Sequence, residues 1–272
     1  MFRIYDRNTD GTLVPSEATV MHFYGGEVHI KNLEEASPAA IVLTGADADE
    51  LVTAAMVADA AHQKGNDFEL ILPYLPGARA DRGNPFGAKV YADIINTMHA
   101  EKVFCVDPHS PTMPSLVDHV AVFPVENVIE GYVQAEGIKY AGIISPDEGS
   151  RHRSGIIADK LGLPLINASK HRDFETSKLN GFTCEPVPDP DGIYLVVDDI
   201  CDGGGTFMGL AKASGLPKNQ LHLWVSHGVF TSRAPQLKDA YDKIITTNSH
   251  PGHDNPEVGA HVVDIISLLI KD

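Results

Sequence analysis

Two adjacent carboxylates and a run of glycines are the residues best suited to binding a ligand. Asp198 and Asp199 follow an apolar stretch, 193–197, that is typical of a buried strand, and the glycines at 203–205 precede a predicted helix over 206–214. Glycines let the backbone approach a ligand closely, and a helix N-terminus adds partial positive charge. Carboxylates at the end of a strand can hold sugar hydroxyls. The pattern favours a sugar-phosphate site, with a glycine-rich turn capped by aspartates as the alternative.

Two further segments place charged or ligating side chains directly after predicted strands. Arg79 and Arg82 flank Asp81 in one such loop, where guanidinium groups are suited to a polyphosphate. A solvated surface loop is the alternative interpretation. His109 follows the next predicted strand, and an isolated histidine in that position is more often structural than a ligand.

A dense group of basic residues lies in the second half of the chain. Lys170, His171 and Arg172 follow a predicted strand, and Arg151 and Arg153 begin a predicted helix. A basic triplet is usually a solvated surface. Its contribution depends on whether the fold brings it to the glycine-rich loop.

Composition excludes several classes of protein. The chain has 272 residues, 43% of them hydrophobic, with 21 Lys and Arg against 37 Asp and Glu, for a net charge of -16. A globular protein of about two domains is expected, without a surface for nucleic acid or an anionic membrane. No apolar secretory or membrane-spanning segment is evident, and three cysteines without CxxC spacing fit a reducing compartment. We therefore expect a cytoplasmic protein.

Short apolar strands alternate with helical stretches, which predicts an α/β architecture with parallel sheets covered by helices. Two runs of this alternation indicate two domains, 1–124 and 125–272, with packing of the closing helix on the first domain as an alternative. Before the first run, a hairpin is predicted over 20–31, and the chain is expected to close with a helix over 260–270. The remaining predicted strands are 40–44, 68–72, 102–106, 141–145, 163–167 and 221–226, and the remaining helices are 48–64, 86–98, 125–135 and 151–161.

Segment 194–206 resembles the phosphoribosyl-diphosphate (PRPP) motif of the type I phosphoribosyltransferase fold. Further segments resemble, in the same order, those of the ribose-phosphate pyrophosphokinase family. These segments are 23–27 (FYGGE), 73–82 (PYLPGARADR), 106–109 (VDPH), 144–149 (ISPDEG), 226–230 (SHGVF) and 246–248 (TTN). The resemblance implies two type I phosphoribosyltransferase-like domains, each a mainly parallel sheet flanked by helices. It also implies that the first domain binds nucleotide and the second binds ribose phosphate.

The activity that the resemblance implies is transfer of the β,γ-diphosphate of ATP to the anomeric hydroxyl of ribose 5-phosphate, giving PRPP and AMP. Lys170 and Arg172 are the implied catalytic residues, on a mobile loop that closes over the diphosphate. The implied Mg²⁺ ligands are His109 and Asp147, in part through water. A homo-oligomer, at least a dimer, is implied. ATP would be bound by Phe23, Glu27, Arg79, Asp81, Arg82 and His109, and the ribose phosphate by Asp198, Asp199, Asp202, Gly203, Gly204, Gly205 and Thr206.

The sequence also departs from the family pattern. The N-terminal part is short, which suggests that the hairpin begins without the family's usual first strand and helix, and puts a hexamer in doubt. Ala80 stands where glutamine is usual, and Gly25 replaces a polar residue. Gly203 stands where the phosphate loop usually has threonine, which would leave room for a larger ribosyl substrate such as ADP-ribose. A catalytically silent regulatory homologue is a further alternative.

Overall fold

The computed structural model describes residues 2–34, 36–172 and 179–270. The chain divides into two compact units. The first runs to Phe123 and includes the chain again from Ile265, and the second runs from Pro124 to Asp264. Each unit is built on its own mostly parallel sheet flanked by helices, so the predicted α/β class is confirmed.

The first unit contains a six-stranded sheet in the order β2-β1-β5-β6-β7-β8 and a separate hairpin, β3–β4. β1 is antiparallel to both of its neighbours, and β5 to β8 are parallel. Its strands are β1 (Phe2–Arg7), β2 (Leu13–Pro15), β3 (Thr19–His22), β4 (Val28–Lys31), β5 (Pro38–Leu43), β6 (Glu69–Ile71), β7 (Lys102–Val106) and β8 (Val120–Phe123), and its first helices are α1 (Ala48–Gln63), α2 (Gly87–Asn96) and α3 (Thr112–Leu116).

Apolar composition explains the centre of this sheet. Every residue of β5 is buried, as expected for a parallel strand covered on both faces. Helix α1 is capped by Asp47, whose Oδ1 accepts hydrogen bonds from the backbone N–H groups of Asp49 and Glu50 at 2.8 and 3.3 Å. Its buried side chains, including Leu51 and Val57, join the core of this unit. Because β6 and β7 pair in parallel, the segments that follow these two strands leave the sheet at the same edge.

The second unit contains a seven-stranded sheet in the order β11-β10-β9-β12-β13-β14-β15. β11 pairs antiparallel with β10, and the other pairs are parallel. Its strands are β9 (Tyr140–Ser145), β10 (Leu165–Arg172), β11 (Leu179–Cys184), β12 (Ile193–Cys201), β13 (Leu221–Gly228), β14 (Lys243–Thr247) and β15 (His261–Val263), and its helices are α4 (Val125–Glu136), α5 (Arg151–Leu161), α6 (Gly205–Ser214) and α7 (Leu237–Ala240).

Parallel pairing brings the carboxyl ends of β9, β12, β13 and β14 to one edge of this sheet. The segments that follow these strands begin at Pro146, Asp202, Val229 and Asn248. Ligands of open α/β sheets bind at the carboxyl edge. The topology therefore selects these four segments as a candidate site.

Three sequence predictions are corrected by the structure. The closing helix predicted over 260–270 is the strand β15 followed by one short helix, α8 (Ile266–Leu269), because the β-branched run around Val262 pairs with β14. A strand, β1, precedes the hairpin and pairs with β5, although no first strand was expected. The resemblance implied that Lys170 and Arg172 lie on a loop, but β10 continues to Arg172, so the backbone at both residues is part of a strand.

Candidate active site

The two adjacent carboxylates at the end of β12 share one buried cation. The Nη1 atom of Arg153, from the first turn of α5, lies 3.5 Å from Oδ1 of Asp198 and 3.5 Å from Oδ1 of Asp199. The backbone N–H of Asp199 also donates to Oδ1 of Asp198 at 3.0 Å. All three side chains are largely buried, so their orientation is set before a ligand binds.

Electrostatics make this pair unusual. Burial and the neighbouring charge of Asp199 raise the pKa of Asp198 well above its ordinary value, and Arg153 only partly opposes the shift. Two close carboxylates cannot both ionise freely, so Asp198 keeps a proton to higher pH than an ordinary aspartate. A pair that can both donate and accept hydrogen bonds is suited to vicinal hydroxyl groups.

Asp147 lies in the loop between β9 and α5 and is held on both sides. Its Oδ1 accepts a hydrogen bond from the backbone N–H of Ser150 at 3.1 Å, and its Oδ2 accepts one from Nζ of Lys170 in a close ion pair. Burial alone would raise the pKa of Asp147, but the bond from Lys170 and the backbone donors outweigh it and lower the pKa. Asp147 is therefore ionised, and Lys170 is fixed at the loop.

The hairpin β10–β11, which carries Lys170, is fastened to α6. Lys170 lies directly opposite Phe182 in the hairpin, and the ring of Phe182 packs on Gly209 of α6. A Cβ placed on Gly209 would lie 2.1 Å from Cε2 of Phe182, so only glycine leaves room for the ring. Arg172 follows on the same strand, and its side chain lies outside the described residues.

We predict that Gly209→Ala displaces the β10–β11 hairpin from α6, because the added methyl group would overlap the ring of Phe182. Overpacking of this kind costs about 1–3 kcal/mol of unfolding free energy, and the displaced Lys170 should lower the catalytic rate as well. Denaturant unfolding and turnover measure the two effects. Gly131→Ala is the matched control, because a Cβ on Gly131, also inside a helix, meets no atom within 4 Å. Equal stability of both variants would contradict this role for Gly209.

The glycine-rich loop joins β12 to α6 and leaves the start of α6 open. Gly204 has a φ of +76°, which glycine adopts without strain, and no described side chain caps the helix. Its N-terminal N–H groups are therefore available to an anion. A Cβ on Gly205 would meet no atom within 4 Å, which leaves room for a bound group.

A second layer of backbone supports this loop. The N–H groups of Val229 and Phe230 donate to the carbonyl of Cys201 at 2.9 and 3.0 Å. The 3₁₀ turn at Pro251–Asp254 packs closely on the backbone of Val229. A Cβ on Gly252 would lie 2.0 Å from the carbonyl oxygen of Val229, so only glycine fits at this position. His250 caps that turn, with its Nδ1 accepting the N–H of Gly252 at 3.0 Å.

His250 is expected to make stability pH-dependent. Burial, followed by the neighbouring His227 and His253, lowers the pKa of His250 to about 4, against the opposing charge of Asp202. In the unfolded chain, the imidazole of His250 binds a proton near pH 6.5. The contribution of neutral His250 to the free energy of unfolding is therefore complete above about pH 6.5 and is lost as the pH falls to about 4.

His250→Asn keeps an acceptor for Gly252 and removes the titration. We predict that the unfolding free energy of this variant falls less steeply between pH 6.5 and 4 than that of the wild type, by on the order of 2 kcal/mol over the interval. Thermal unfolding across this pH range measures the difference. Parallel pH profiles would contradict the assignment.

In the first unit, the sequence-predicted residues follow β6 and β7 or lie on the hairpin. Arg79, Arg82 and His109 are exposed, whereas the side chain of Asp81 is mostly buried, with its Oδ1 3.8 Å from Nε of Arg82. A Cβ on Gly87 would lie 2.8 Å from the Cβ of Ala80, so a residue larger than glycine at position 87 needs different packing.

The turn between β3 and β4 carries the last two predicted nucleotide ligands. Phe23 and Glu27 are both exposed, and the ring of Phe23 lies 5.5 Å from that of His29. Within the second unit, by contrast, Asp147, Lys170, Asp198, Asp199 and the loop 202–206 share one sheet edge.

Sequence reasoning missed the role of Arg153. We assigned it to a basic cluster, whereas the structure pairs it with two carboxylates, and Lys170 is likewise paired with Asp147. The available signal was its position: Arg153 lies in the first turn of the helix that follows β9, beside the end of β12.

Comparisons with known proteins agree with this arrangement. Ribose-phosphate pyrophosphokinase 3 of Saccharomyces cerevisiae is 31% identical over 74% of this chain and 66% of its own length, and the ribose-phosphate pyrophosphokinase of Helicobacter hepaticus is 27% identical over 87% and 80%. The chain thus spans about two thirds to four fifths of the length of these relatives. No protein-family model matches.

A solved structure has the same fold. The crystal structure of phosphoribosylpyrophosphate synthetase from Mycobacterium smegmatis superposes with a TM-score of 0.79 at 23% identity, over 95% of this chain and 89% of that one. The molecule is therefore a protein of two type I phosphoribosyltransferase-like domains. With the identity to curated relatives, the chain belongs to the ribose-phosphate pyrophosphokinase family.

No helix among the described residues is long and apolar enough to cross a membrane. No group of three or more His, Cys, Asp or Glu side chains among them is arranged to hold a metal ion without other ligands.

Proposed function

We propose that the protein is an ATP-dependent diphosphokinase that transfers the β,γ-diphosphate of ATP to the anomeric hydroxyl of ribose 5-phosphate, giving PRPP and AMP. One observation carries the proposal: a buried pair of carboxylates and an uncapped helix N-terminus lie side by side on one sheet edge, in a chain of this family. The first binds vicinal hydroxyls and the second binds a phosphate, which are the two groups of a ribose phosphate.

In the proposed complex, Asp198 and Asp199 bind the ribose hydroxyls. Arg153 holds both carboxylates in place, and the loop from Asp202 to Thr206 binds the 5-phosphate. The anomeric oxygen then attacks the β-phosphorus of ATP. A bond forms from that oxygen to the β-phosphorus, the bond from the β-phosphorus to the α,β-bridging oxygen breaks, and AMP leaves with the electron pair while the hydroxyl proton is released.

Lys170 and Arg172 are the proposed catalytic cations. Phosphoryl transfer depends mainly on positioning and on neutralising charge at non-bridging oxygens. Lys170 is paired with Asp147 at the edge where the diphosphate is to be transferred. An incoming polyphosphate competes with Asp147 for this ammonium group.

The nucleotide is proposed to bind in the first unit through Arg79, Asp81, Arg82 and His109. Arg79 and Arg82 offer exposed guanidinium groups, which suit the phosphates. Phe23 and Glu27, exposed on their hairpin, are proposed to reach the nucleotide of a second copy in a homo-oligomer that is at least a dimer.

Magnesium is the proposed metal, and the described residues fit it. Mg²⁺ keeps several waters and is usually bound through one or two carboxylates and the substrate phosphates, so a three-ligand protein site is not required. The ionised Asp147 is a suitable ligand, and His109 fits better through a bound water. When bound, the ion supplies charge neutralisation at the phosphates.

Three free cysteines, Cys105, Cys184 and Cys201, support the proposal that the protein works in a reducing cytoplasm.

A larger ribosyl substrate is the second candidate, and the lack of a side chain at Gly203 favours it. A Cβ on Gly203 would have as its nearest non-adjacent neighbours Thr231 Oγ1 at 3.8 Å and the Cβ of Arg233 at 3.9 Å. A diphosphate diester such as that of ADP-ribose could extend past the loop here, where a threonine side chain would stand in the way.

Release of AMP from ATP and magnesium, with ribose 5-phosphate or ADP-ribose offered in turn, decides between the candidates. Ribose 5-phosphate should support turnover. Activity only with ADP-ribose would overturn that choice of substrate, and activity with neither would favour a silent regulatory homologue. Gly203→Thr is the matched variant: it should retain turnover of ribose 5-phosphate and lose that of the larger substrate.

A further inference from the structure

A turn that the family resemblance did not assign to substrate forms the far wall of the phosphate loop. Thr231 begins this turn, which continues through the short 3₁₀ segment Ala234–Gln236 into α7. The Oγ1 atom of Thr231 donates to Oδ1 of Asp202 at 2.6 Å, and the backbone N–H of Thr231 donates to the carbonyl of Asp202 at 3.2 Å. The turn is therefore hydrogen-bonded to the loop through both the side chain and the backbone of Asp202.

The other end of the turn is fastened to the same loop. Leu237 is fully buried, and its Cγ lies 3.1 Å from the position of a Cβ on Gly204. Ala234 is also fully buried, and its N–H donates to the carbonyl of Thr231 at 2.8 Å. Contacts at Asp202 and at Gly204 thus hold the turn against the loop on both sides of Gly203.

Arg233 lies between these two anchors. Its Cβ is 3.9 Å from the position of a Cβ on Gly203, and its side chain is exposed. Among the described residues, no carboxylate lies within ion-pair distance of its guanidinium group. The two other described cations at this edge that face the site, Arg153 and Lys170, are each paired with aspartate.

We infer that Arg233 is a substrate-binding residue whose guanidinium group binds the phosphate on O5 of the ribosyl substrate, beside Gly203, which carries no side chain. The inference rests on the proposed function, because the phosphate loop is taken as the site of that group. A guanidinium fork makes charge-assisted hydrogen bonds to phosphate oxygens, which replaces the contact that a threonine hydroxyl at position 203 would supply. Both candidate substrates carry this phosphate, so the residue serves either one.

Arg233→Ala tests the inference, and Arg233→Lys is the conservative variant. Lys238→Ala is the control, because Lys238 is an exposed cation about one helical turn further along the chain. Two quantities are measured: KM for whichever ribosyl substrate is turned over, and Kd for ribose 5-phosphate and for ribose, by calorimetry. Loss of a charge-assisted contact predicts a rise of about 10- to 100-fold in KM and in Kd for the phosphorylated sugar. The turnover number, the KM for ATP and the Kd for ribose should change less than about 2-fold.

Arg233→Lys should recover part of the affinity, because it keeps the charge and loses the fork. An active wild type whose KM is unchanged in Arg233→Ala would overturn the inference and leave the proposed function standing. An inactive wild type that binds neither ribosyl substrate would overturn the proposed function itself. A similar rise in KM with Lys238→Ala would show a general charge effect and would also count against Arg233.

Discussion

Replacement of Lys170 by alanine is expected to lower the turnover number by about 10³- to 10⁵-fold, the range for an arginine that stabilises the transition state of phosphoryl transfer. The side chain lies at the substrate edge, held in a close ion pair by Asp147. Binding of ribose 5-phosphate should survive, since the carboxylate pair and the phosphate loop are untouched. Steady-state kinetics and calorimetric binding measure the two effects separately. Arg172→Ala is expected to act in the same way.

Lys160→Ala is the matched control for this prediction. Lys160 Nζ lies 3.3 Å from Oε2 of Glu130 in a half-exposed pair between α5 and α4, on the same unit but outside the site. Surface pairs of this kind contribute about 0–1 kcal/mol to stability, so its turnover should match that of the wild type. Near-normal turnover in Lys170→Ala would contradict the assignment.

Asp198→Asn is expected to separate function from stability. It removes a charge from the carboxylate pair, and about a 100-fold rise in KM for the ribosyl substrate should follow. Its unfolding free energy should stay the same or rise at pH 7 to 8. The pKa of Asp198 is raised in the folded state, so its contribution favours folding at low pH and is lost as the pH rises through that pKa. The amide that replaces the Asp198 carboxyl in the variant does not ionise, so the variant does not lose this stability as the pH rises.

Arg153→Met provides the opposite result. It leaves Asp198 and Asp199 buried without their cation, and the loss of one partner from a buried ion pair costs about 3–5 kcal/mol. Denaturant unfolding at pH 7.5 should therefore rank the proteins with Asp198→Asn at or above the wild type and Arg153→Met well below it. A destabilised Asp198→Asn variant would contradict the electrostatic account of the pair.

The alternation of apolar strands and helices was enough to predict the centre of both sheets. β7 and α5 match their predicted bounds because continuous apolar runs and helix signals agree there. Two strands away from the sheet centres were missed: β1, which lies beside the edge strand β2, mixes apolar and charged residues, and β14 lies beside the edge strand β15. The closing segment failed because β-branched residues at helical spacing also satisfy a strand.

Within the site, the sequence indicated which residues carry charge but not which charges meet. Asp198, Asp199 and the glycine loop are contiguous, so their shared role follows from one segment. Arg153 is 45 positions away, and only parallel pairing of β9 with β12 brings it to the pair. Gly209 carried no motif, and its role depends on the ring of Phe182 from another strand. Such contacts depend on register and packing, which periodicity does not report.

The most direct test of the proposed reaction is the identity of the nucleotide product. ATP labelled separately at the β- and γ-phosphates, incubated with magnesium, the protein and ribose 5-phosphate, should give AMP and a sugar that carries both labels in equal amount. The sugar product should equal AMP in amount, and ³¹P spectra should show a diphosphate on the anomeric oxygen. Release of ADP with transfer of the γ-label alone, or AMP with free diphosphate and unmodified sugar, would contradict diphosphate transfer by this chain.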